Sequence, residues 1–307
     1  MIRPFDWRDL SILHKYRNQG LCLNTALGLT HGMAISPRVL LSYLNPASGF
    51  FTWITVDDKT PIIGQLNHPA DTLIGRISFL APEKAIKNSK PQQLLEQLAK
   101  QAGQRGAFHL IAEIDELAPS YEVLRRAGFG IYARQRIWKI TEIPETENHY
   151  PQWYQIKNGH SIQVQTLIHN VVPGLVGQVE GLPSKQLEGL VCKNEGEVIG
   201  YVDFKYGYFG IWAQPFIHPD VENIDGILRN MINSIPDRRS RPIYLCVRTY
   251  QSWLEPAIGE LDSQSSPLQA VMVKRLAARQ KLALQALPNI DGQTEFQAPI
   301  AHSQNIE

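Results

Sequence analysis

LIGRISFLAP at residues 73–82, PQQLLEQLAKQAGQRG at 91–106, HLIAEID at 109–115, YEVLRRAGF at 121–129 and YARQRIWKI at 132–140 read as strand, helix, strand, helix, strand. The same succession returns as YFGIWAQPFIHPD at 208–220, NIDGILRNMINSI at 223–235, PIYLCVR at 242–248, WLEPAIGEL at 253–261 and QAVMVKRLA at 269–277. Similar gaps separate the matching elements. A unit of this size written twice predicts two tandem domains of one fold. The loop after the first strand is basic in one copy, APEKAIKNSK at 81–90, and acidic in the other, HPDVENID at 218–225.

The 307 residues give room for two domains of ordinary size, each able to bury its own core. With 43% hydrophobic and 19% charged residues the composition is that of a soluble globular protein. A net charge of +1 supplies no overall field for nucleic acid or an anionic membrane, so neither is expected as a partner. Cys22, Cys192 and Cys246 lie far apart and form no CxxC pair, which points to a reducing cytoplasm. MIRPFDWRDL at 1–10 has no apolar stretch behind Arg3, and no later run is long enough to cross a bilayer; a cytoplasmic protein is expected.

Upstream of the first repeat, IRPF at 2–5 reads as a strand. DWRDLSILHKYR at 6–17 reads as a helix with Asp6 as N-cap and Leu10, Leu13 and Tyr16 on one face. Residues 21–48 are ambiguous, with helical SPRVLLSYL at 36–44 inside them. FFTWITVDD at 50–58, PIIGQLNH at 61–68 and TLIGRISFL at 72–80 predict an antiparallel meander with turns at DDKTP and PAD. From Pro91 onward Leu94, Leu95, Leu98 and Ala102 recur at helical spacing, with Gly103 and Gly106 at the end. HLIAEID is apolar enough to be buried on both faces, Gly128 closes the helix after it, and residues 130–140 alternate as a final antiparallel strand. Residues 141–160 read as a linker; 161–180 are helical, interrupted at Pro173 and Gly174. Three more strands follow in 188–217, and 281–307 has no sustained period and reads as a mobile tail.

LLEQLAKQAGQRG and YEVLRRAGF, together with the element order across about residues 1–140 and 185–277, resemble the GNAT superfamily of acyl-CoA-dependent N-acyltransferases. The resemblance implies an α+β chain of two tandem GNAT-like domains, 1–142 and 150–280, each a mixed, mainly antiparallel sheet flanked by helices. In that family the fourth and fifth strands part like a V. Acyl-CoA lies in the opening, with its pyrophosphate on the first N–H groups of the next helix, which have no internal partner. The family's glycine positions fall on Ser89 and Pro91 here, and Pro91 has no N–H. The resemblance therefore places acetyl-CoA or another acyl-CoA, as co-substrate, along Phe79, Leu80 and Ala81 and a basic loop of Lys84, Lys87, Asn88, Ser89 and Lys90. Those lysines serve either as point charges for phosphate or as a solvated loop. In the second copy Asp220, Glu222 and Asp225 stand where a phosphate would sit and suit instead the cap and first turn of the next helix.

The resemblance also implies a general base and a tyrosine that protonates the leaving thiolate. The tyrosine position falls on Leu124, and Tyr121, one turn earlier, is the nearest substitute; its alternative role is packing with the hydroxyl at the surface. Glu83 and Glu113 are the candidate bases, with His68 and His109 behind them; Glu113 is equally readable as an ion-pair partner of Arg125 or Arg126. In the second copy Ile258 takes the tyrosine position, and Cys246 and Arg248 are candidates to line a pocket, a buried apolar role being the default for Cys246. The histidines are too dispersed to make a metal site, no P-loop, dinucleotide fingerprint or HExxH occurs, and RRSR at 238–241 marks an exposed turn. Two functions follow as expectations. One is transfer of an acetyl or other acyl group from acyl-CoA to a small-molecule or peptide amine, sited in or near the first copy. The other is a catalytically silent tandem GNAT-fold module that binds a ligand or a protein.

Overall fold

The computed structural model describes residues 1–32, 49–56, 60–70, 72–86, 91–142, 151–181 and 187–276. The helix expected at 36–44, Lys87, Asn88, Ser89 and Lys90, part of DDKTP, Asp71 of PAD, most of 141–150 and the stretch 281–307 lie outside the described residues. The first copy contains β1 (Ile2–Pro4), α1 (Leu10–Tyr16), β2 (Leu21–Cys22), α2 (Thr25–His31), β3 (Phe50–Thr55), β4 (Ile63–Asn67), β5 (Ile74–Ala81), α3 (Glu83–Ile86), α4 (Pro91–Gln104), β6 (His109–Asp115), α5 (Tyr121–Arg126) and β7 (Gly130–Ile140). The second contains β8 (Trp153–Gln155), α6 (Ser161–Val171), α7 (Gly174–Glu180), β9 (Leu190–Asn194), β10 (Glu197–Tyr206), β11 (Ile211–Ile217), α8 (Ile224–Asn233), β12 (Ile243–Arg248), α9 (Glu255–Gly259), β13 (Ser263–Ser265) and β14 (Gln269–Arg275).

Periodicity places most of these correctly. Leu94, Leu95, Leu98 and Ala102 of α4 are all fully buried, the stripe expected of a helix laid on a sheet. Gly128 follows α5 with φ +85°, a left-handed closure that costs a glycine little. The α6–α7 break falls at Pro173, as expected. Two local expectations change. Leu10 is exposed while Leu13 and Tyr16 are buried, because residues 7–9 form a tighter 3-10 turn that rotates the helix start. Trp153–Gln155, inside the expected linker, is strand β8, held against β9 through Trp153↔Cys192 and by the Trp153 indole donating to the Ile227 carbonyl at 3.0 Å.

Among the described residues the strands form one 14-stranded sheet, ordered β1-β3-β4-β5-β6-β14-β7-β12-β11-β10-β9-β8, with β2 added to β5 and β13 to β7. Two pairs in it are parallel, β5 with β6 and β11 with β12; the remainder are antiparallel. β14, the last strand of the second copy, sits between β6 and β7 of the first. The other edge of β7 carries β12. Ala270 and Met272 of β14 therefore belong to the first copy's core with Leu94, Leu98 and Ala112.

Candidate functional site: two parted strand pairs and a cleft at the seam

Both parallel pairs part as the resemblance implies. β5 and β6 are in register only over 74–76 against 109–111, and β11 and β12 only over 211–213 against 243–245. In each copy the chain itself fills what opens beyond. In the first, Gln19 to Leu23 run along β5: the Glu83 N–H donates to the Gln19 carbonyl at 2.7 Å, Leu21 pairs with Leu80 and Cys22 with Phe79, and the Leu23 N–H donates to the Ser78 carbonyl at 3.0 Å. The Leu23 carbonyl then accepts the Glu113 N–H from β6 at 2.9 Å, so one segment bridges the parted strands.

In the second copy one side chain serves. The Gln251 carboxamide, fully buried, accepts the Ile217 N–H at 3.2 Å and donates to the Pro215 carbonyl at 3.0 Å. It meets β11 as a peptide group of a neighbouring strand would. Backbone groups in a dry interior must be paired, and these are. Among the described residues, both openings are thus occupied by the chain's own hydrogen-bonding groups.

The sequence-predicted site residues scatter. Phe79, Leu80 and Ala81 are buried, with β4 on one side through Gln65, Gly64 and Ile63 and, for Phe79 and Leu80, β2 on the other. Glu83 and Lys84 are exposed on α3. Tyr121 is half-buried against the first core, so packing is its visible role. Glu113 is buried, and its arginine is Arg76, at 3.3 Å, rather than Arg125, which pairs with Glu122, or Arg126. The other Glu113 oxygen accepts the Thr25 N–H at the start of α2 at 2.8 Å. No hydrogen bond or ion pair joins Glu83, Glu113 and Tyr121. Cys246 is fully buried, and burial pushes its thiol up to about 12, which removes it as a nucleophile at neutral pH. Asn223, with the acids of the second loop around it, caps α8 by accepting the Gly226 N–H at 2.9 Å, and Asp225 pairs with Arg229.

Chemistry gathers instead where the copies meet. The turn after β10 approaches α2 so closely that a Cβ on Gly207 would stand 2.1 Å from the Thr30 carbonyl oxygen. α2 and α6 both pack on β10 and β11. Between them lie two adjoining cavities, about 390 Å³ beside α2 and about 460 Å³ beside α6 and α7, which share Arg76, Glu180, Lys205 and Gln214 as a common wall. The first lobe adds His31, Trp212 and Arg248; the second adds Ile168, Val172, Val176, Tyr201, Asp203, Phe216 and Tyr250.

Glu180 accepts hydrogen bonds from Arg248 Nη2 and from the Tyr132 hydroxyl, each at 2.5 Å. Burial alone would raise the Glu180 pKa, but the Arg248 and Arg76 charges and the Tyr132 hydrogen bond outweigh it and hold it below the ordinary carboxylate value. Arg248 is 3% exposed, and its Nε and Nη1 have no partner among the described residues. Lys205 has part of its side chain exposed at the cleft and makes no ion pair there among the described residues. Partial loss of hydration, followed by the Arg76 charge, lowers its pKa against the opposing pull of Asp203, Glu113 and Glu180. Burial likewise raises that of Asp203. Sequence reasoning named Glu113 and Arg248 of this group and missed Arg76, Glu180, Asp203 and Lys205. The available signal was the polar alternation of Asp203 and Lys205 on a strand face that otherwise enters a core. Among the described residues no group of three His, Cys, Asp or Glu is placed to hold a metal, and no helix is long and apolar enough to cross a membrane.

This α+β sheet with two parted parallel pairs has the fold of solved GNAT-type structures. A GCN5-related N-acetyltransferase from Sphaerobacter thermophilus matches 90% of this chain over 95% of its own, at TM-score 0.54 and 10% identity. A protein of Pyrococcus horikoshii classed as an acetyltransferase matches 90% over 89% of its own, at TM-score 0.50 and 11% identity. A tandem GNAT protein from the clavulanic acid biosynthesis pathway covers 90% of this chain and 98% of its own, at TM-score 0.49 and 12% identity. No protein-family model matches the chain, and no curated protein is significantly similar to it in sequence.

Proposed function

We propose that this protein is a tandem GNAT-fold binding module whose ligand site is the seam cleft, and that neither parted strand pair accepts acyl-CoA. The observation that carries it is the Gln19–Leu23 segment, hydrogen-bonded to β5 along the length an acyl-CoA would need and tied to β6 through Leu23. Gln251 supports the same conclusion for the second copy. Small-molecule sites favour such junctions between units, with apolar walls and a few convergent polar groups. Acyl transfer to a small-molecule or peptide amine is the second reading. The fold favours it, and it requires Gln19–Leu23 to leave the sheet.

Acetyl-CoA decides between the two. A ligand of the native state at a hundredfold over its Kd stabilises by about 2.7 kcal/mol, a readable melting shift. The expected result at millimolar acetyl-CoA is an unchanged Tm, unchanged hydrogen exchange at the Leu23, Glu83 and Glu113 amides, and no release of free CoA in the presence of amines. A raised Tm with faster exchange at Leu23 would establish that the segment withdraws, and the transferase reading would replace this one.

A further inference from the structure

We infer that the seam cleft binds a zwitterionic α-amino acid with an apolar side chain; this rests on the cleft being the ligand site. Pleating puts Tyr201, Asp203 and Lys205 on one face of β10. The register with β11 sets Phe216 beside Tyr201, Gln214 beside Asp203 and Trp212 beside Lys205. A single row across two strands therefore runs from apolar, through an acid, to a cation. At its apolar end Tyr201 and Phe216 stack with ring centroids 6.0 Å apart, and Ile168, Val172 and Val176 close the lobe over them.

At its cationic end Glu113 and Glu180 are each engaged by an arginine, Arg76 and Arg248. Lys205 and Asp203 feel each other's charge but form no ion pair, one pleat apart on β10, and Arg248 lines the space beside Lys205. A separated cation and acid of this kind match a ligand that carries one carboxylate and one ammonium group. A second negative charge would meet Asp203 and, at the mouth of the lobe, Glu188, which disfavours dicarboxylates and phosphate dianions. Asp203 stands one pleat from Lys205 toward the apolar end, where an α-ammonium group lies when the carboxylate is on Lys205 and the side chain is among Tyr201, Phe216 and Val176.

The test is calorimetric titration of the full chain with phenylalanine, with 3-phenylpropionate, which lacks the ammonium, with 2-phenylethylamine, which lacks the carboxylate, and with inorganic phosphate. Phenylalanine is expected to bind, and each analogue to bind on the order of 30-fold more weakly, the loss when one partner of a desolvated charge pair is removed. Lys205→Met should abolish the preference over 2-phenylethylamine and Asp203→Asn the preference over 3-phenylpropionate, each leaving the other preference in place. Binding of 3-phenylpropionate or phosphate as tight as that of phenylalanine, equal loss of both preferences in both variants, or no binding of any probe would each overturn the inference. The broader proposal falls on a different result, stabilisation by acetyl-CoA, so the two failures are distinguishable.

Discussion

A lysine that faces a cleft without an ion-pair partner costs stability for as long as it stays charged. Lys205 has its pKa lowered, so between that value and the ordinary one near 10.4 the unfolded chain binds more protons, and stability rises with pH across that window. Lys205→Met is therefore expected to raise Tm at pH 7 while removing ligand affinity, the usual opposition of stability and function at a binding site. A lowered Tm in a thermal scan would show that the lysine is compensated in a way the cleft does not reveal. Glu180 works in the other direction. Its pKa is depressed, so its contribution is present above the unfolded value near 4.3 and is lost as pH falls through the folded one. Glu180→Ala leaves Arg248 buried without a counter-charge and should cost about 3–5 kcal/mol in urea unfolding at pH 7, whereas adding Arg248→Met should recover most of that. If the single and double variants are equally unstable, the cost lies in packing rather than in the unpaired charge. None of this was legible from spacing. Arg76, Glu180, Asp203 and Lys205 come from β5, α7 and β10, and each is unremarkable in its own element. Glu113 was readable as a buried acid with an arginine, but its partner lies across a parallel pairing that local sequence does not encode.

At the scale of elements, periodicity recovered the strands and helices because each buries one stripe or face. It missed the two closures because they depend on very short segments. β2 is two residues long, below what any pattern in 21–48 can signal, and Gln251 is a single polar residue in a 3-10 turn whose importance lies in the strand it faces. The missing glycines in APEKAIKNSK are what the proposed binding module would have, since a loop that approaches no phosphate has no use for bare backbone. Gln251→Ala would leave the Pro215 carbonyl and the Ile217 N–H unpaired in a dry interior, at about 1–3 kcal/mol for each group. Gln251→Glu can still accept from Ile217 but cannot donate to Pro215 when ionised, and should be at least as damaging. Chemical denaturation gives the cost, and hydrogen exchange at Ile217 locates it. Wild-type protection at Ile217 in Gln251→Ala would mean that water or another side chain replaces the carboxamide.

For the whole molecule, the sequence repeat foretold two copies of one fold but not how they share a sheet. That information is non-local: β14 pairs with β6 at a separation of well over a hundred residues, Gln269 with Asp115 and Arg275 with His109. The exchange explains why β7 is paired on both edges and why the first core includes Ala270 and Met272. Units that share strands cannot unfold independently, since melting the second copy withdraws β14 and strips one edge from both β6 and β7. Differential scanning calorimetry is therefore expected to show one transition, with calorimetric and van't Hoff enthalpies nearly equal, although a chain this long would ordinarily divide into separately melting domains. A fragment ending at residue 142 should fail to give a cooperative melt, because Leu94, Leu98 and Ala112 would face water where β14 belongs. Adding a peptide of residues 266–277 should restore part of the cooperativity. Two resolved transitions in the full chain, or a well-folded fragment 1–142, would show that β14 is an accessory to the first core and not a member of it.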